Sequence, residues 1–109
     1  MTASRREKIE ALLKDDPGDV FLRYSLALEL DATDEWQAGL DILEELARGA
    51  PPYVPAFHMA ARNLLKRDRV ADARRALREG IEEARRQGNA HAAGEMSELL
   101  MSLGAAGEE

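Results

Sequence analysis

His91 and Glu95 stand four residues apart, the spacing that puts two metal ligands on one face of a helix. No third ligand follows at a recognisable spacing, and a lone histidine at a helix start is usually solvated, so no metal site is expected. His58 has the chemistry of a general base, yet no Ser, Thr or acid stands at motif spacing for it to activate. With no cysteine, the chain has no disulfide, thiolate metal site or cysteine nucleophile. The run Gly104-Ala105-Ala106-Gly107 reads as a frayed tail rather than a phosphate-binding loop. These residues point away from an enzyme and away from any cofactor.

Charge is the next chemical resource. The 109 residues carry a net −6, and all of it lies in residues 1–52, where 12 acids face 6 bases; residues 53–109 balance. Within the balanced half, Arg62, Lys66, Arg67, Arg69, Arg74, Arg75 and Arg78 stand against only Asp68 and Asp72. Nucleic-acid binders usually have a basic domain as well as a basic face, so an acidic protein with this stretch reads as carrying a solvated helix face. The start, Met1 to Arg6, leads into charged residues rather than an apolar run, and no segment approaches the roughly 20 apolar residues of a membrane span. A cytoplasmic protein with no membrane partner is expected.

Helical spacing recurs throughout, and no stretch alternates as a strand does. Ser4 and Glu7 form a capping-box pattern that opens a first helix with Ile9, Leu12 and Leu13 on one face, ended by Asp15-Asp16-Pro17-Gly18. Asp19 caps a second helix from Val20 to Asp31. Asp34 caps a third from Glu35 to about Arg48, with Trp36, Leu40, Leu43 and Ala47 as its stripe, closed by Gly49 and Pro51-Pro52. Pro55 sits in the first turn of a fourth, which runs to about Arg67. Asp68 caps a fifth, reaching about Gln87, with Val70, Ala73, Leu77, Ile81 and Ala84 inward. Gly88 breaks the chain, Asn89 starts a last helix that ends before Gly104, and residues 105–109 fray. With aromatics at 5%, the core must rest mainly on Leu and Ala.

The helices repeat. Pro17 and Pro51 lie 34 residues apart, and Leu26, Ala27, Leu30, Gly39, Leu43 and Leu46 recur in register as Ala60, Ala61, Leu64, Ala73, Leu77 and Gly80. A fixed period of this length marks a stacked helical repeat. These residues resemble the tetratricopeptide repeat (TPR) family. Phe57, Ala60-Ala61 and Leu64 fit the family's first helix, as do Leu26-Ala27 and Leu30, with Arg23 in the bulky slot and Phe21 and Leu22 beside it. Gly39, Leu43 and Pro51 fit its second helix, as do Ala73, Leu77 and Gly80, although Leu46 is large and Arg85 replaces the closing proline. The resemblance implies an all-α solenoid of about six helices in a right-handed superhelical array. Its parts are a half repeat at 4–16, repeats at 20–53 and 54–87, a capping helix at 89–103 whose face is Ala92, Met96, Leu99 and Leu103, and a tail at 104–109. A single unit cannot bury its own apolar face, so the flanking helices supply the missing neighbours.

In the TPR family the first helix of each unit lines a concave groove. The resemblance places Phe21, Tyr24, Leu28 and Asp31 there from one unit and His58, Arg62, Leu65 and Lys66 from the next. The second helix is apolar nearly all round, so either the terminal helices cover it or a partner does. His58, Arg62 and Lys66 recur every four residues as a basic ridge beside it. The expected activity is a protein–protein adaptor or scaffold. A partner segment would set apolar side chains on Phe21, Tyr24 and Leu28 and a carboxylate on Arg62 and Lys66. The TPR subfamily that clamps chaperone tails uses Lys and Asn where Tyr24, Leu28 and Met59 stand here, so that clamp is absent. A homodimer closing the apolar patch is the rival expectation, and nucleic-acid binding by the Arg62–Arg78 face is a weaker one.

Overall fold

Most of the helices begin where a side chain or a proline can serve the first turn. In the computed structural model, residues 3–105 are described and form α1 (Arg5–Asp15), α2 (Val20–Asp31), α3 (Trp36–Ala47), α4 (Val54–Lys66), α5 (Val70–Arg86) and α6 (Ala90–Ser102), with no strand among them. Ser4 and Glu7 complete both halves of the capping box. Asp19 accepts from Leu22 N at 2.8 Å and Asn89 from Ala92 N at 3.1 Å. The tail expected at 104–109 lies mostly outside the described residues.

Two expected caps are corrected. Thr33, not Asp34, serves the start of α3: its hydroxyl accepts from Glu35 N at 3.0 Å and donates to Leu30 O at 2.7 Å. Asp68 does not open α5 but closes α4. It sits in the left-handed region at φ 59, with its N–H on Leu65 O and the next N–H, of Arg69, on Leu64 O. That pair of bonds is the Schellman ending, and aspartate is one of the few side chains that tolerates its conformation. Gly88 ends α5 in the same way at φ 75.

Successive helices pack on one another in chain order, and α4 also touches α6. The result is elongated, 48 × 31 × 19 Å, with a radius of gyration of 14.6 Å where a compact chain of this size has about 13 Å. Alanine and leucine supply most of the core, which runs from Ala27 through Leu43, Leu64 and Leu77 to Met96. Val70, expected inward, is half-buried. On α2 the apolar girdle is divided: Ala27 and Leu30 are buried, Leu22, Tyr24, Leu26 and Leu28 are half-buried, and Phe21 is 67% exposed.

Small residues decide how closely these helices approach. A Cβ at Gly39 would lie 2.9 Å from Ala27 O, and one at Gly80 would lie 2.5 Å from Phe57 Cβ and 2.6 Å from Met96 Sδ. Gly94, in the middle of α6, has nothing within 4 Å of that position. Gly80→Ala therefore lowers unfolding free energy by about 1–3 kcal/mol through overpacking. Gly94→Ala raises it by about 0.5–1 kcal/mol through helix propensity. Urea denaturation of the two variants checks the sign of each change.

Candidate functional site

One cleft is lined by alternate helices. Tyr24 from α2, Val54, Pro55, His58, Met59 and Arg62 from α4, and Ala92, Glu95 and Met96 from α6 enclose a cleft of about 240 Å³. Tyr24, His58 and Arg62 are the expected groove residues that meet there. The contribution of α6 was not foreseen: its Met96, fully buried, forms one wall, and Glu95 faces His58. Tyr24 is held edge-on against Tyr53, with ring centroids 5.4 Å apart.

Phe21, Leu28 and Leu65 do not line this cleft. Phe21 stands in solvent, Leu28 is half-buried, and Leu65 is half-buried against the core. Asp31 and Lys66 are corrected more sharply, because they bind each other: Lys66 Nζ lies 2.5 Å from Asp31 Oδ2. Arg67 reaches the same turn, donating to Asp31 O at 3.1 Å while its guanidinium lies 4.6 Å from the centre of the Trp36 ring. Asn63, buried beneath, donates to Trp36 O at 3.3 Å. These residues form a joint between the α2–α3 turn and the end of α4, not a binding ridge.

The basic stretch is taken apart in the same way. Asp31 receives Lys66 and Arg67, Asp72 receives Arg69 and Arg75, and Arg74 is buried. Arg62 makes no ion pair among the described residues, although it is exposed. No continuous cationic face results. The outer groove of about 340 Å³ between α3 and α5, floored by Phe57, Ala60 and Leu64, has walls of both charge signs.

Electrostatics at the cleft follow from burial. Partial burial pushes the His58 imidazole below its usual pKa, repulsion from Arg62 adds to this, and Glu95 opposes it. The shift favours the neutral imidazole of His58. Burial raises the Tyr24 phenol, with Tyr53 adding and Arg62 opposing. The His91–Glu95 pair does form, at 3.1 Å, but no group of three metal-ligating side chains occurs among the described residues. No described helix is long and apolar enough to cross a membrane.

A histidine with a depressed pKa binds fewer protons folded than unfolded, so stability falls as pH drops below the ordinary histidine value. Acidification from neutral pH thus costs the protein stability, and His58→Gln removes part of that loss. An NMR titration should find the His58 midpoint below the ordinary histidine value. Arg62→Ala moves that midpoint upward, and an unmoved midpoint would contradict the assigned cause. No family model, curated protein or solved structure matches the chain, so what the cleft does is inferred from its geometry.

Proposed function

We propose that this protein is a small cytoplasmic adaptor of the TPR type, a short right-handed helical array that binds a segment of another protein across its α2–α4–α6 face and performs no catalysis. The observation that carries the reading is the cleft itself. Its apolar walls, Val54, Met59 and Met96, lie beside the exposed and unpaired Arg62. At about 240 Å³ it is smaller than the roughly 300–1,000 Å³ of a typical small-ligand site. That size suits one large side chain of a partner. Burying such an anchor contributes about 1.5–3 kcal/mol. An exposed ion pair to Arg62 adds about 0–1 kcal/mol. Shape and apolar contact therefore set affinity, while Arg62 favours a segment with an acid next to its anchor.

The 34-residue period supports this reading, since it brings the first helix of each unit to one face. The test is affinity capture from the native cell, comparing wild type with Tyr24→Ala/Arg62→Glu. Proteins recovered by wild type should be depleted about tenfold or more by the double variant, the loss equivalent to about 1.4 kcal/mol. Equal recovery with a folded variant rejects the cleft as the binding site.

A further inference from the structure

The α5–α6 edge has a second apolar surface, away from the cleft. On α5, Arg78, Ile81, Glu82 and Arg85 lie on one stripe at i, i+3, i+4 and i+7, and on α6 Ser97, Leu100 and Met101 face them across an open groove of about 570 Å³. Met101 is 79% exposed, more than Leu12, Val20 or Phe21, the other exposed large hydrophobics. An isolated exposed methionine is ordinary, but one that rims a groove with an apolar floor is an incomplete contact.

Charge identifies what completes it. Arg85 is exposed and has no ion-pair partner among the described residues. Glu82, three residues before it, is bonded instead to Arg86 at 3.1 Å and leaves 73% of its side chain exposed. The groove thus offers an unpaired cation and an accessible anion one helical turn apart. A two-fold axis over the groove would bring each against its opposite on an identical surface, because an isologous interface must complement itself. Open-ended stacking does not fit the ends of the molecule. In the 34-residue register Arg5 stands where Gly39 makes its close approach, and it is exposed. Likewise His91, Gly94 and Glu98 replace Phe57, Ala60 and Leu64, and all three are exposed. The α6 end is polar at these positions, whereas the α1 end leaves the large apolar Leu12 exposed. End-to-end stacking therefore lacks a matching surface, and the lateral edge is the place for a closed pair.

We propose that the α5–α6 edge is the interface of a symmetric dimer, its occupant a second copy of this chain. Met101 of each copy inserts between Ile81 and Leu100 of the other, and Arg85 of each meets Glu82 of the other. The surface is separate from the cleft, so dimerisation stands or falls independently of partner binding.

Sedimentation equilibrium of the full chain, from low micromolar to near-millimolar concentration, tests this. Wild type should pass from monomer to dimer and stop there. Met101→Glu should stay monomeric with an unchanged circular dichroism spectrum. Glu82→Arg and Arg85→Glu should each raise the dissociation constant about tenfold, and the double charge swap should restore it. A wild type that stays monomeric throughout, species that grow beyond the dimer, a dimer that survives Met101→Glu, or a charge swap without recovery would each overturn the proposal.

Discussion

The cleft between α2, α4 and α6 depends on how closely α5 passes between its neighbours. At Gly80 there is no room for even one methyl group between α5 and the side chains of Phe57 and Met96. The contact is therefore backbone against side chain, and it fixes α4 and α6 at a distance that larger residues would forbid. Met96 is both a partner of Gly80 and a wall of the cleft, so the crossing and the cleft share one side chain. Gly39 performs the corresponding task between α2 and α3, against the carbonyl of Ala27. Neither approach can be relieved by a change of rotamer, because a carbonyl oxygen and the Phe57 Cβ are both fixed by the backbone.

The polar joint at Asp31 is the second constraint. Asp31 lies at the C-terminus of α2, where the helix dipole disfavours an anion. Lys66 and Arg67 come from the end of α4, where cations are favoured, and they compensate for it. Arg67 also covers Trp36, so the joint binds an aromatic ring as well as a carboxylate. Two cations are thereby committed to the fold. Arg62, one turn earlier than Lys66, makes no ion pair among the described residues.

Much of the architecture was legible because the chain repeats its own solution. The prolines and small residues mark the turns and crossings, and Ser4, Asp19 and Asn89 cap the helices that their positions announce. Asp34 was displaced by the neighbouring Thr33 hydroxyl, and Asp68 misled for a different physical reason. Aspartate suits an N-cap, but it also tolerates the left-handed residue after a helix, so the same letter can open one helix or close another. At the site, Tyr24, His58 and Arg62 were readable from their place in the repeat. Met96 and Glu95 were missed as cleft residues because α6 was read only as a cap. The Asp31–Lys66 bond was hidden too, although its 35-residue separation is almost one period and so joins equivalent ends of successive units.

The two ends of the chain are not equivalent, and the difference lies in what holds them. α6 brings Ala93 and Met96 into the main core, whereas α1 contributes only Ile9 as a buried residue, and Ile9 stands outside that cluster. What α1 has in its place is ionic: Arg5 reaches Glu29 at 2.8 Å, and Arg6 reaches Glu35 at 2.5 Å. That second pair holds the Glu35 carboxyl below its ordinary pKa through the hydrogen bond and charge of Arg6. Exposed pairs of this kind weaken with salt, while apolar burial does not. The N-terminal helix is therefore attached by the interactions most easily screened, and the cleft, built from α2, α4 and α6, draws no residue from it.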